Sequence, residues 1–299
     1  MALSSLKSNL QFATLKTLSL VSISAMTPQQ SVKEVLRTAD CVCFDVDSTV
    51  IKDEGIDELA KFCGKGEDVK RLACALEPHG PRVSTLKGTK SKLEEILLYL
   101  CRLLIFACSA AAPFCLTKLY FDSMCGNMTF QEALKKRLDI IRPTVGQIKE
   151  FLEKFPINLT PGVAELVKVL QERGVAVYLV SGGFRSLIDP VADLLSIPRS
   201  NIYANRLKFY FNGEYAGFDE NEPTSRSGGK PLVIRRLKEQ HGYQKLVMIG
   251  DGATDAEASP PADAFIGFGG NVVREEVQKR APWFVTSFQE LTDALKVQK

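Results

Sequence analysis

At 299 residues, with 45% hydrophobic and 24% charged side chains, the chain has the make-up of a globular protein of one or two domains. A formal net charge of +3, with no Lys/Arg block interleaved with aromatics, leaves no electrostatic footprint for nucleic acid. Two histidines offer little to a histidine zinc site or a Ser-His-Asp triad, and eight cysteines without a CxxC pair argue for a reduced setting rather than a disulfide framework.

Residues 1–33 contain no Asp or Glu and are rich in Ser, Leu and Thr, which partly resembles an organelle transit peptide; the missing arginines favour a dispensable extension instead. The apolar run "CVCF" (41–44) predicts a buried strand, with Cys41 and Cys43 as small hydrophobes on one face. "GIDELAKFCG" (55–64) predicts a short helix with a Gly stop. The stretch 65–120 fits no pattern: it holds four cysteines and the apolar run 96–116, long enough to be weighed as a membrane span despite Arg102. A single span there would put the motifs before and after it on opposite sides of a bilayer, so the stretch reads as an extra helical element or an aberrant insertion. "TFQEALKKRLDII" (129–141) and "TVGQIKEFLEKF" (144–155) have helical spacing and complete a small cap inserted after the first strand.

From residue 157 the rhythm is helix and strand in alternation. "TPGVAELVKVLQERG" (160–174) predicts a helix capped by Thr160 and stopped by Gly174. "VAVYLV" (175–180), "KLVMIG" (245–250) and "AFIGF" (264–268) are continuous apolar runs, the pattern of a parallel sheet covered on both faces. "RLKFYFNGEYAGF" (206–218), with Asn212-Gly213 between aromatic-rich runs, predicts a β-hairpin projecting from that sheet. The fold class is α/β: a Rossmann-like parallel core, a small helical cap and a hairpin. The expected boundaries are an N-terminal extension 1–39, a core of 40–56 and 156–299, and a cap 57–155 carrying the anomalous 65–120.

The chemistry lies at the strand ends. Asp45 and Asp47, two apart in extended chain, face one side and project into the crevice at the carboxyl end of the sheet. Two anions so close resist joint ionisation, so they share a proton or a cation sits between them. "GDGATD" (250–255) brings Asp251 to another strand end and Asp255 one helical turn on. Converging carboxylates make a hard oxygen site, which suits Mg²⁺. Ser181, Gly182 and Gly183 offer a hydroxyl and backbone N–H groups at a predicted helix start, where anions bind, and Lys230 in "SGGK" adds a point charge.

These four pieces, in this order, resemble the haloacid dehalogenase-like phosphatases and, within them, the phosphoserine phosphatase family. "FDVDSTVIKDEGIDELA", "SGGFRS" and "MIGDGATDAEASPPADAFIGFGGNVVRE" carry the likeness, which covers about 40–64 and 124–295. The resemblance implies Mg²⁺-dependent hydrolysis of O-phosphoserine to L-serine and phosphate, the last step of serine biosynthesis, through an aspartyl-phosphate. It implies Asp45 as nucleophile and Asp47 as acid and base. Asp45, the Asp47 main-chain carbonyl and Asp251 would hold the metal, with Asp255 behind them. Ser181, Gly182, Gly183 and Lys230 would bind the phosphoryl group. Glu54 would take the substrate amine and Arg137 its carboxylate, while Met124, Thr254 and Arg274 match positions beside the ligand. One departure stands out: in "YFDSMCGN" (120–127) Cys125 replaces a glycine and the family's basic residues are missing. The alternatives are a cap-disrupted chain with little activity and a phosphatase for another small phosphomonoester. The implied setting is cytoplasmic, with organelle targeting by 1–33 as the alternative. The implied partner is a small molecule rather than nucleic acid or membrane, with a homodimer possible in principle.

Overall fold

The computed structural model describes residues 26–69 and 129–296. Helix α1 (Pro28–Arg37) opens on a Thr27–Gln30 capping box and leads into β1 (Cys41–Phe44). After a tight turn over Val46–Val50 come α2 (Gly55–Phe62), α3 (Phe130–Ile141), α4 (Val145–Lys154) and α5 (Val163–Glu172). Next are β2 (Ala176–Phe184), α6 (Arg185–Leu194), β3 (Ile202–Asn205) and a hairpin of β4 (Leu207–Phe209) and β5 (Tyr215–Phe218). Then follow α7 (Gly229–His241), β6 (Leu246–Gly250), the single turn α8 (Ala253–Ala256) and β7 (Ala264–Phe268). The described chain closes with α9 (Glu275–Arg280), β8 (Trp283–Val285) and α10 (Phe288–Lys296).

Six strands form one parallel sheet in the order β3-β2-β1-β6-β7-β8. Alternate residues feed two cores. Val42 and Phe44 of β1 face α1, α5 and α10, packing with Leu36, Leu166 and Leu291. Cys41 and Cys43 face the other way, with Val233, Ile234 and Leu237 of α7. Both cysteines are fully buried, as the sequence predicts. The chain reverses its strand order at β1, which has β2 on one side and β6 on the other. That switch point opens a crevice at the carboxyl ends of the strands.

Helices α2, α3 and α4 build the cap around Leu59, Leu138, Ile148 and Phe151. Thr129 and Thr144 each close a capping box, fixing where α3 and α4 start. Val69 is buried against this cluster, so the cap continues five residues into the stretch expected to be anomalous from 65. The rest of that stretch, with the apolar run 96–116, Met124 and Cys125, lies outside the described residues. Among the described residues no helix is long and apolar enough to cross a membrane.

Two sequence expectations need correction, and the predicted hairpin is present. The end of the 1–33 stretch, expected to be a dispensable extension, opens α1, and Val32 together with Leu36 belongs to the sheet core. With Leu36 only 1% exposed, Leu36→Ala is expected to cost about 2–5 kcal/mol in a urea melt, and a loss under about 1 kcal/mol would place α1 outside the core. Thr160 does not cap α5, whose N-cap is Gly162 at φ +84°; its hydroxyl donates to the Thr49 carbonyl instead. The Asn212-Gly213 turn is a five-residue loop, 210–214, in which only Gly213 has positive φ. The hairpin does not project freely either, because Tyr215 and Phe218 pack into the cap cluster.

Candidate active site

Register sets the site. Phe44 lies level with both Leu179 of β2 and Ile249 of β6, so the three strands reach the crevice together. Asp45 leaves β1 in extended conformation, its N–H bonded to the Ile249 carbonyl at 2.9 Å. The chain then turns through Ser48, a non-glycine residue at φ +56°. Such a left-handed residue costs about 1 kcal/mol and persists only where its surroundings impose it.

Lys230, at the start of α7, is 8% exposed, with its Nζ 2.8 Å from Asp45 Oδ1 and 2.6 Å from Asp255 Oδ1. Asp255 also accepts the Gly252 N–H at 2.9 Å, and a Cβ at Gly250 would overlap its carboxylate. Asp251 accepts Thr49 Oγ1 at 3.2 Å and Arg274 Nε at 2.9 Å. One carboxylate oxygen from each of Asp45, Asp251 and Asp255 lies within 4.8 Å of the others. Burial pushes the Asp45 pKa well above the usual carboxylate range; Lys230 opposes this, and Asp255 and Asp251 add to it. Burial raises Asp255 as well, again against Lys230. Burial disfavours the Lys230 charge, yet Asp255 and Asp45 together hold its pKa above that of an ordinary lysine. The cluster is therefore short of positive charge. Its donors are all oxygens, so it can hold a hard divalent cation.

Asp47 stands apart from this group. Its Oδ1 accepts the Gly55 N–H at the start of α2 at 2.7 Å, and its Oδ2 accepts the Ser181 hydroxyl at 3.4 Å. The carboxylate cluster thus draws on Asp45, Asp251 and Asp255, while the side-chain hydrogen-bond partners of Asp47 are Gly55 and Ser181. Burial lifts Asp47 to about 6, opposed by the Gly55 N–H. Gly183 is required here, because a Cβ would stand 2.7 Å from Asp47 Oδ2. Ser181, Gly182 and Gly183 lie in the extension of β2 rather than at a helix start, since α6 begins only at Arg185. The Gly183 N–H donates to Ser181 Oγ at 2.8 Å.

Cap and core enclose a cavity of about 570 Å³. Asp45, Asp47, Asp251 and Lys230 line it with Gly182, Gly183 and Thr254; Glu54, Arg137 and Arg274 are also among its lining residues. Arg137 projects from α3 with its Nε buried and unpartnered. Glu54 accepts Arg274 Nη2 at 3.3 Å and the Ser48 hydroxyl at 3.4 Å. Every sequence-predicted residue within the described chain falls in or beside this one cavity; Met124 lies outside the described residues. Sequence reasoning missed Thr160 and Asn271, which brace the turn after β1. Asn271 follows a Gly-Gly pair in "GFGGN", a loop signal.

A family model described as haloacid dehalogenase-like hydrolase matches residues 39–263. A phosphoserine phosphatase of Bos taurus is 46% identical over 271 residues, 91% of this chain and 100% of the relative. A chloroplastic phosphoserine phosphatase of Arabidopsis thaliana is 40% identical over 90% of this chain and 76% of its own length. Among solved structures, a phosphoserine phosphohydrolase-like protein of Francisella tularensis matches with a TM-score of 0.59 at 27% identity, covering 85% of this chain and 98% of that one.

Proposed function

The chain belongs to the haloacid dehalogenase-like hydrolases, and we infer that it is a phosphoserine phosphatase, hydrolysing O-phosphoserine to L-serine and phosphate. The observation that carries the substrate is the pairing of two kinds of group around one cavity. Asp45, Asp251 and Lys230 line the cavity, with Asp255 behind them on Lys230, and Glu54 and Arg137, whose buried Nε has no partner, line it too. A phosphate fits the first, and the ammonium and carboxylate of serine fit the second, where a guanidinium fork suits the planar anion.

In this reading a carboxylate oxygen of Asp45 attacks phosphorus, the bond to the serine oxygen breaks, and the phosphoryl group rests on Asp45. Asp47, held toward the cavity by the Gly55 N–H and Ser181, gives its proton to the departing oxygen. It then takes a proton from the water that cleaves the acyl phosphate, returning both aspartates to their starting state. Ser181, the Gly182 N–H and Lys230 bind the phosphoryl oxygens and stabilise the charge that spreads over them. Mg²⁺, held by Asp45, Asp251 and the Asp47 main-chain carbonyl with Asp255 behind, would screen the phosphate so that an anionic nucleophile can approach. Thr254 and Arg274 border the same ligand, and Met124 is assigned to it by resemblance alone.

The test is a substrate comparison. Phosphoserine is expected to exceed phosphoethanolamine in kcat/KM by at least ~100-fold, because phosphoethanolamine leaves Arg137 without its carboxylate. Equal rates would remove the amino-acid reading while leaving a phosphatase. We further propose a core of 40–56 and 156–299 and a cap of 57–155, with α1 counted with the core. A cytoplasmic protein is the proposed setting; organelle delivery by residues 1–33 is the alternative, and imaging a fluorescent fusion of those residues decides it. A homodimer is also proposed, and sedimentation at micromolar concentration checks it.

A further inference from the structure

Three loops from distant parts of the chain meet behind the nucleophile. Asn271 Nδ2 donates to Thr160 Oγ1 at 2.7 Å and to the Ser48 carbonyl at 3.0 Å. Thr160 Oγ1 in turn donates to the Thr49 carbonyl at 2.6 Å. Thr49 Oγ1 donates to Asp251 Oδ1 at 3.2 Å, which carries the chain of bonds from the loop at 271 into the carboxylate cluster. Backbone bonds reinforce the join: Thr160 N–H to the Val50 carbonyl at 2.9 Å and Lys52 N–H to the Asn158 carbonyl at 3.0 Å. Thr49 and Thr160 are 0% and 4% exposed, so water cannot stand in for a lost partner.

The donor inventory leaves no slack. An amide side chain has two protons; the shortest contacts of Asn271 Nδ2 are these two acceptors, with the Ile51 and Thr49 carbonyls farther off at 3.4 and 3.5 Å. A threonine hydroxyl has one proton, which Thr160 gives to Thr49 while accepting from Asn271. What this network holds is the strained link of the turn. Ser48 sits at φ +56° directly after Asp47, and its carbonyl is one of the two clamped acceptors. We propose that Thr160 and Asn271 are positioning residues that hold the Ser48–Thr49 turn in its left-handed bend and so aim Asp47 and Asp251 at the cavity. Neither residue lines the cavity. Their effect runs through the backbone of residues 48–49 and the Thr49 hydroxyl. A tip displaced by ~1 Å costs on the order of 100-fold in rate.

The kinetic half of the test rests on the hydrolase reading above; the exchange half does not. Thr160→Val removes both bonds of the hydroxyl, Thr160→Ser keeps them, and Asn271→Asp keeps the shape but has no proton to donate. Thr160→Val and Asn271→Asp are each expected to lower kcat ~10- to 100-fold with KM for phosphoserine within ~3-fold, while Thr160→Ser stays within ~3-fold of wild type. Amide exchange in residues 46–51 is expected to speed up at least ~10-fold in the first two variants and not in the third. If the variants melt at lower temperature but keep kcat per folded molecule, or lose kcat with protection of 46–51 unchanged, the proposal is overturned. Should Thr160→Val fail to fold, Asn271→Asp, at a half-buried side chain, carries both readouts. Wild-type protein that leaves phosphoserine intact would sink the hydrolase reading, and the exchange comparison would still decide this one.

Discussion

Asp45→Asn is expected to abolish phosphoserine turnover, with kcat reduced by at least ~10⁴-fold. The amide nitrogen and carbonyl of Asn are poor nucleophiles toward phosphorus, so the two-step route is closed rather than slowed. The structure separates this loss from unfolding. Asp45 is an anion whose charge burial disfavours, and Lys230 retains its 2.6 Å bond to Asp255 when Asp45 is neutral. The variant should therefore melt no lower than wild type in metal-free buffer. Rapid quenching with radiolabelled phosphoserine should trap a hydroxylamine-sensitive adduct on wild type and none on the variant. Turnover within tenfold of wild type would remove Asp45 as the nucleophile.

Lys230→Met should produce the opposite combination, a loss of both rate and stability. Its ammonium bridges Asp45 and Asp255, and its side chain is 9% exposed beside a fully buried Asp255. Taking one partner out of a buried ion pair costs about 3–5 kcal/mol, because the remaining charges are uncompensated. Here two carboxylates are left bare, with Asp251 close by. A divalent cation offers replacement charge, so the variant should gain more melting temperature from added Mg²⁺ than wild type does, measured against EDTA. The rate should fall at least ~100-fold even at saturating Mg²⁺, since the phosphoryl oxygens lose a cationic partner. A variant as stable as wild type in EDTA, with the same response to Mg²⁺, would mean that Lys230 does not balance the cluster.

Much of this site is legible in the sequence because it depends on strand ends. Continuous apolar runs such as "CVCF" and "KLVMIG" have no polar face, so they must lie inside a sheet, and whatever polar residue follows each one arrives at the same edge. Asp45, Ser181 and Asp251 come together for that reason. The helical spacing of 129–141 and 144–155 is legible for a similar reason, because it is a local pattern. What stayed hidden was tertiary. The helix "PQQSVKEVLR" contributes only Val32 and Leu36 to the core, too few for its pattern to stand out from a polar leader. Thr160 looks like an N-cap when only its neighbours in sequence are considered. Its real partners, Thr49 and Asn271, are each 111 positions away. The Ser-Gly-Gly stretch does lie at a strand end, but the helix after it starts later than expected, because β2 runs on to Phe184. The partnering of Asp47 with Gly55 could not be read either, since it depends on the angle at which α2 leaves the turn.

The central place of β1 also dictates when the protein can fold. Its two neighbours in the sheet begin only at residues 176 and 246, although β1 itself starts at residue 41. During synthesis the ribosome therefore releases Cys41–Phe44 long before either companion exists, with both edges and both apolar faces uncovered. Such late, non-local pairing slows assembly and invites the nascent polypeptide to stick to its neighbours. Shielding this segment until Leu246–Gly250 has emerged is therefore expected to raise the yield of folded protein.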